Sequence, residues 1–208
     1  MNSNQYLKSL VSELTLLSNE TEWVEFKVNN KEPQLIGEYI SALSNSAALE
    51  GKKYAYLLWG VDDNTHEIIG TNFEPKKLKK GNEELENWLY RLISPKINFK
   101  FYEVDIDSKK VVLLEIEKAI EKPVQFSGIE YIRIGSYKKL LKEFPVKERD
   151  LWRKFDLSSY EDQIAKANMD ESELLNLLDY PSYFDLMDIP LPEERKTIIM
   201  KLAEEEII

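Results

Sequence analysis

Three carboxylates and one lysine are the residues best suited to chemistry. Glu20, Glu25 and Lys27 lie close together in the sequence, and Asp63 follows 38 positions after Glu25. Residues two apart in a strand project from the same face, so Glu25 and Lys27 should share a site. Asp63 comes just after an apolar run at residues 54–61 that predicts a buried strand. If the two strands are neighbours, all four side chains converge at one end of a sheet.

This set of residue types is suited to phosphodiester cleavage. Mg²⁺ and Mn²⁺ prefer oxygen ligands, and such ions stabilise the attacking and leaving oxygens of a phosphodiester. A lysine beside them can steady the charge of the transition state. The pattern therefore predicts Glu20, Glu25, Lys27 and Asp63 as catalytic residues, with the three carboxylates holding Mg²⁺ or Mn²⁺. The alternative is a solvated strand face, on which acidic and apolar residues alternate in the same way.

A second cluster, between residues 131 and 154, is basic and interleaved with aromatic side chains. Such a patch can neutralise a phosphate backbone. The residues predicted to contact nucleic acid are Arg133, Lys138, Lys139, Lys142, Arg149 and Arg153. The alternative is an ordinary charged surface. A shorter lysine run at residues 76–80 is more typical of a solvated loop.

The net charge of −10 is unevenly distributed along the 208 residues. Residues 156–208 carry 14 acidic and 4 basic side chains, whereas residues 1–155 carry 24 of each sign. The acidity therefore does not exclude a polyanionic partner for residues 1–155. It does remove long-range electrostatic attraction as a reason to expect one.

Several site classes are excluded by what the sequence lacks. There is no cysteine, which rules out disulfides, thiolate metal sites and a Cys-His pair. Neither GxxxxGK[ST] nor GxGxxG occurs, so ATP, if it binds, is not held by a Walker site. His66 is the only histidine and lies in an acidic turn, where we expect it to be exposed. No window has the roughly 18 apolar residues of a membrane span, and we expect a cytoplasmic protein without a membrane partner.

Hydrophobic periodicity predicts an α+β domain over residues 1–155. The expected helices are 6–17, 32–49, 83–93 and 146–155, and the expected strands are 22–27, 54–61, 67–69, 97–104, 111–117, 124–126 and 131–134. We expect one mixed, mostly antiparallel sheet with flanking helices. Residues 54–61 should be its central strand, and residues 124–134 should continue it. Trp59, Trp88 and Trp152 occupy apolar periodic positions and are predicted to lie in the core.

Residues 156–208 are predicted to form an acidic helical extension. Short helices are expected at 171–178, 183–187 and 192–206, broken by Pro181 and Pro190. The extension is expected to be a linker or the start of a truncated downstream domain.

Several blocks in order resemble the Schlafen AlbA_2 domain family. They are Glu20-x4-Glu25-Phe26-Lys27, Ile40-Ser41-Ala42-Leu43-Ser44-Asn45-Ser46, Leu57-Leu58-Trp59-Gly60-Val61-Asp62-Asp63, Ile69-Gly70, Lys122-Pro123-Val124 and Tyr131-Ile132-Arg133-Ile134-Gly135-Ser136. The resemblance spans about Glu20 to Lys154. The family commonly has a glycine pair before the buried strand, where this chain has only Gly51.

The resemblance has three functional implications. In vertebrate Schlafen proteins the corresponding carboxylates form a metal-dependent RNA-cleaving site. The resemblance maps this site to Glu20, Glu25 and Asp63, with Asp62 as the alternative to Asp63. Bacterial relatives are usually described as transcriptional regulators or ATP-binding proteins. We therefore expect an N-terminal nucleic-acid-binding fragment of a bacterial regulator, with RNA or DNA as partner. An endoribonuclease and an ATP-binding module are the alternatives, and homo-oligomerisation is left open.

Overall fold

The computed structural model describes residues 3–17, 21–161, 170–205 and 207. The chain divides into two compact units, Met1–Glu161 and Asp162–Ile208. The helices of the first unit are α1 Ser3–Thr15, α2 Pro33–Leu49, α3 Leu85–Leu92 and α4 Pro145–Glu161. Its strands are β1 Val24–Lys27, β2 Tyr54–Trp59, β3 Lys79–Lys80, β4 Glu83–Glu84, β5 Ile93–Ser94, β6 Phe99–Ile106, β7 Lys109–Glu117, β8 Gln125–Phe126, β9 Ile129–Ile134 and β10 Tyr137–Leu140. Within these described ranges, no helix is both long and apolar enough to cross a membrane.

The first sheet has the order β1-β2-β7-β6. β1 runs parallel to β2, and the other pairs are antiparallel. β2 is apolar throughout because both of its faces are covered. Leu58 packs in a cluster with α1, and Trp59 packs in the larger cluster with α2. This confirms the prediction of a central strand that is buried on both faces.

The second sheet has the order β10-β9-β8-β5 and is antiparallel. The expectation that residues 124–134 continue the first sheet is therefore wrong, although the α+β class is confirmed. α2 contributes to a core that includes Trp59 of the first sheet and both Phe126 and Ile132 of the second. α2 approaches β8 so closely that a Cβ atom on Gly37 would lie 2.1 Å from the Phe126 ring.

Polar side chains of α2 hold the second sheet in place. Asn45 Nδ2 donates to the carbonyls of Val124 at 3.0 Å and Tyr131 at 2.9 Å, and Asn45 Oδ1 accepts from Val124 N at 2.7 Å. The Ser41 hydroxyl donates to Val124 O and accepts from Tyr131 N. Both side chains are fully buried. They satisfy strand-end backbone groups that would otherwise be buried without partners.

The described residues of the second unit, 170–205 and 207, contain three short helices, α5 Glu171–Leu177, α6 Tyr180–Leu186 and α7 Arg195–Glu204. Their apolar faces meet at Leu175, Phe184, Ile198 and Leu202. Pro181 does not break a helix as predicted. It lies in the first turn of α6, where proline costs no hydrogen bond.

Candidate functional site

A polar cleft of about 240 Å³ opens beside β1. The parallel pairing of β1 with β2 places the loop after β2 next to the first strand. The lining residues are Thr21, Val24, Glu25, Phe26, Asp63, Asn64, His66, Arg133 and Ser136. The predicted convergence of Glu25 with Asp63 is thus observed.

Glu25 is buried, with 4% of its surface exposed, and both of its carboxylate oxygens are engaged. Oε1 accepts a hydrogen bond from Lys27 Nζ, and Oε2 forms an ion pair with Arg133 Nη1. A buried carboxylate needs such partners because isolated charge is costly in a low dielectric. The two cations neutralise the charge of Glu25.

Arg133 is itself held in place by the fold. Its backbone N–H donates to the Ser46 hydroxyl of α2 at 3.1 Å, and its Nε donates to Gly135 O at 3.3 Å. Burial lowers the pKa of Arg133 to about 10, which leaves the guanidinium charged at neutral pH. Arg133 was predicted to contact nucleic acid, but its side chain is only 3% exposed and points to Glu25.

Two aspartates follow β2, and only one of them faces the cleft. Asp62 Oδ1 accepts from the backbone N–H groups of Asn64 at 3.0 Å and Thr65 at 2.9 Å, and these bonds lower the Asp62 pKa. Asp62 therefore closes the turn, whereas Asp63 lines the cleft. Burial lowers the pKa of Lys27, and the negative charge of Asp63 partly opposes that effect.

Three cationic side chains lie near the ring of Tyr39 of α2. Lys27 Nζ lies 5.4 Å, Lys138 Nζ 4.9 Å and the Arg133 guanidinium carbon 5.9 Å from its centroid. Lys138 also forms an ion pair with Glu38 and is only 15% exposed. Lys138 was predicted to contact nucleic acid, but it turns inward like Arg133.

The described residues do not form a metal centre. Among residues 3–17, 21–161, 170–205 and 207, no group of three or more histidine or carboxylate side chains is placed to hold a metal ion. Glu20 lies outside the described residues. Glu25 fits a metal ion poorly because its two oxygens already hold Lys27 and Arg133. The catalytic and metal-binding roles of Glu20, Glu25, Lys27 and Asp63 stay predictions.

The remaining predicted nucleic-acid contacts are exposed. Lys139 lies on β10, Lys142 lies in the 3-10 turn Leu141–Glu143, and Arg149 and Arg153 lie one turn apart on α4. We define the basic surface as Lys139, Lys142, Arg149, Arg153 and Lys154. Arg149 and Arg153 each pair loosely with Asp150, at 3.9 and 3.4 Å. Across the described part of the chain, neither Lys142 nor Lys154 forms an ion pair.

The exposed side of α4 also carries an aromatic ring. Trp152 is 43% exposed, so its predicted place in the core is wrong, whereas Trp59 and Trp88 are buried as predicted. A shallow depression of about 490 Å³ runs between α4 and the end of α2. Its lining residues are Leu49, Glu50, Lys147, Asp150, Arg153 and Lys154.

Sequence reasoning missed two functional neighbours of Glu25. Tyr39 lies three positions after Ile36 on the apolar face of α2, and nothing in that spacing signals cations around its ring. His66, expected to be exposed, lines the cleft, and its ring lies tilted against Phe26 with the centroids 4.5 Å apart. The pairing of Arg133 with Glu25 joins residues 108 positions apart and needs the fold to be seen.

The sequence matches the family described as Schlafen, AlbA_2 over residues 20–142, which is more than half of the chain. The chain belongs to the Schlafen AlbA_2 family. The family match includes β1, α2 and β2 and the loop that carries Asp63, so the cleft is built from AlbA_2 segments. A search of curated proteins finds no match.

Two solved structures resemble this AlbA_2 chain. One is the DIP2311 protein from Corynebacterium diphtheriae, with 14% identity and a TM-score of 0.40. That match covers 65% of this chain and 29% of the other. The second is the N-terminal domain of a RecG-related protein from Nitrosomonas europaea, with 20% identity and a TM-score of 0.40. It covers 63% of this chain and 90% of the other.

Proposed function

We propose that this AlbA_2 domain binds nucleic acid through the basic surface without cleaving it. The nucleic-acid-binding part of a transcriptional regulator is the setting that the family resemblance implies. The observation that carries the proposal is the exposure of Lys142 and Lys154, which have no carboxylate partners among the residues that the structure describes. Cations that are not neutralised within the protein remain available to phosphates.

The local charge supports this assignment even though the whole chain is acidic. Residues 137–155 carry seven basic and three acidic side chains. The excess positive charge lies on β10, the following 3-10 turn and α4, which are consecutive elements. Phosphate contacts act over short distances at physiological salt, so a local surface of this kind can bind despite the acidic remainder.

The state of Glu25 supports binding rather than turnover. A metal-dependent nuclease needs carboxylate oxygens that are free to hold the ion. In this chain the Glu25 oxygens hold Lys27 and Arg133 instead. The cleft is therefore arranged as an internal ion-pair network.

The test is binding of labelled RNA and DNA, as duplex and as single strand, measured by fluorescence anisotropy at several salt concentrations. The Lys142→Gln/Lys154→Gln variant should weaken binding to all of them and reduce the slope of log Kd against log salt by about 1.8 for duplexes and about 1.4 for single strands. A matched control is Lys76→Gln/Lys79→Gln, which removes two exposed lysines outside the basic surface, one in the 3-10 turn Pro75–Lys77 and one on β3. Equal effects of the two variants would contradict the proposal.

A metal-dependent endoribonuclease is the second candidate. The observation that favours it is the convergence of Glu25 and Asp63 in one cleft beside Lys27. Incubating labelled structured RNA with the protein and Mn²⁺, Mg²⁺ or EDTA distinguishes the two candidates. Metal-dependent cutting that Asp63→Asn abolishes would establish the nuclease and overturn the binding-only proposal.

A further inference from the structure

A second groove, away from the cleft, joins aromatic rings to lysines. It has a volume of about 290 Å³ and lies between α1 and the first sheet. Its residues are Leu10, Glu13, Leu14, Leu17, Trp23, Lys52, Lys53, Tyr54 and Tyr56. We define it as the aromatic groove. The floor is apolar, and the charged groups on the rim are two lysines and one glutamate.

Two aromatic rings in this groove pack against each other, and two have a lysine above them. Trp23 and Tyr56 pack edge to face, with centroids 6.2 Å apart. Lys52 Nζ lies 5.0 Å above the Trp23 ring, and Lys53 Nζ lies 5.5 Å above the Tyr54 ring. Trp23 and Tyr54 are only half-buried, so each ring offers part of its surface to a ligand.

Single-stranded nucleic acid carries the groups that these rings and lysines would bind. Unpaired bases stack on aromatic side chains, and the flanking phosphates pair with lysines. A duplex cannot use such a groove because its bases are already stacked and paired. The volume of the groove suits one base rather than a whole strand.

The aromatic groove adjoins the basic surface through one turn of the chain. Leu49 and Glu50 line the depression that contains Arg153 and Lys154, and Lys52 and Lys53 line the aromatic groove. Gly51 lies between these two pairs, with φ of +64° and open space where a Cβ would stand. A phosphate backbone can therefore pass over this turn without a side chain in its way.

A further ion pair ties the two surfaces together. Glu22, next to Trp23, accepts from Lys147 Nζ of α4 at 2.5 Å and from Gly135 N at 3.0 Å. The segment before β1 that presents Trp23 is thus fixed to the helix that presents Arg153 and Lys154. The basic surface and the aromatic groove are held in one arrangement.

We propose that the aromatic groove is a base-stacking subsite for single-stranded nucleic acid whose backbone continues onto the basic surface. This inference rests on the proposed function and specifies the strand state of its ligand. Lys52 and Lys53 contact the phosphates that flank the stacked base, and Trp23 and Tyr54 contact the base.

The experiment compares three fluorescein-labelled probes of equal length: oligo(dT), an abasic oligonucleotide with the same phosphates, and a duplex. The parent protein should bind oligo(dT) about tenfold more tightly than the abasic strand, because stacking one base contributes roughly that factor. Tyr54→Leu keeps an apolar side chain on β2 and should remove this preference. Tyr90→Leu is the matched control, since Tyr90 is an exposed ring on α3 with Lys96 4.7 Å from its centroid.

A second variant tests the phosphate contacts. Lys52→Gln/Lys53→Gln should weaken oligo(dT) and abasic binding alike and reduce the salt slope by about 1.4 for a single strand. Lys76→Gln/Lys79→Gln, with the same change in charge, should leave the slope unchanged.

The outcomes separate this inference from the proposed function. If the parent binds oligo(dT), but Tyr54→Leu keeps the preference over the abasic strand, the subsite is overturned while the basic surface stands. If the parent binds no probe, the proposed function fails and the subsite fails with it. Loss of the base preference in Tyr54→Leu alone supports the subsite.

Discussion

Replacing Glu25 with glutamine distinguishes a structural ion pair from a metal-binding carboxylate. A catalytic carboxylate among other acids is held against electrostatic repulsion, so neutralising it commonly stabilises a protein. Glu25 instead lies between two cations, Lys27 and Arg133. We therefore expect Glu25→Gln to destabilise the first unit.

The size of the loss depends on how well each cation is still compensated once the charge of Glu25 is removed. Removing one partner of a buried ion pair costs about 3–5 kcal/mol, because the other charge is left without compensation. Arg133 is 3% exposed and cannot reach water, whereas Lys27 is 21% exposed and feels the charge of Asp63. Arg133 keeps the nearby charge of Glu22, as Lys27 keeps that of Asp63, so neither cation loses its whole compensation and we expect the lower end, about 3 kcal/mol.

Urea unfolding, monitored by tryptophan fluorescence, measures the change in the free energy of unfolding of the first unit. All four tryptophans lie in Met1–Glu161, so the signal reports the unit that contains Glu25. The control is Glu83→Gln, which breaks the exposed pair with Arg91 and should leave the unfolding midpoint nearly unchanged. The double variant Glu25→Leu/Arg133→Met should recover most of the loss, because Arg133, the more deeply buried of the two cations, is removed together with its partner and Lys27 keeps the nearby charge of Asp63. A Glu25→Gln protein as stable as the parent, or more stable, would refute the assignment of Glu25 as a structural ion-pair residue.

Three further predictions follow from other contacts. Asn45→Ala should lower the free energy of unfolding by about 3 kcal/mol in the same urea assay, since it leaves buried groups of Val124 and Tyr131 without partners, while Ser12→Ala on the exposed side of α1 should not. Burial raises the pKa of Tyr56 above its ordinary value of 10.0, so its stabilising contribution is fully present below about pH 10 and is lost as pH rises from there towards the raised pKa of the folded protein; Tyr56→Phe should flatten the fall in stability above about pH 10. Mn²⁺ or EDTA should leave the melting temperature unchanged, as measured by differential scanning fluorimetry, because Glu25 is already paired; a rise with Mn²⁺ that Glu25→Gln removes would contradict this.

The periodic segments of the fold could be predicted from the sequence. α2, β2, β6 and β7 all carry strong apolar patterns, and the structure has them close to the expected positions. The second sheet could not be assigned, because β5 and β8 have two residues each and no periodicity identifies such short strands. Their place is fixed instead by Asn45 and Ser41, whose hydrogen bonds reach 79 to 90 positions along the chain.

The location of the candidate site could be predicted from the sequence, but the ion pairing of its buried carboxylate could not. The spacing of Glu25 and Lys27 on one strand, with Asp63 after the next, correctly indicates a shared cleft. Nothing local indicates that Arg133 turns inward, because in sequence it begins a series of basic residues that are mostly exposed. The burial of Arg133 depends on Ser46, which bonds its backbone from a different element. The ion pair between Arg133 and Glu25 thus favours a structural role for Glu25, where the sequence alone predicts a metal ligand.

The most direct test of the account is the affinity of the Lys142→Gln/Lys154→Gln variant for single-stranded and duplex nucleic acid, beside Lys76→Gln/Lys79→Gln, over a series of salt concentrations. The account predicts weaker binding and a salt slope reduced by about 1.8 for duplexes and about 1.4 for single strands in the first variant, with the control indistinguishable from the parent. Equal affinities and slopes for the two variants, or no binding by the parent at low salt, would contradict it.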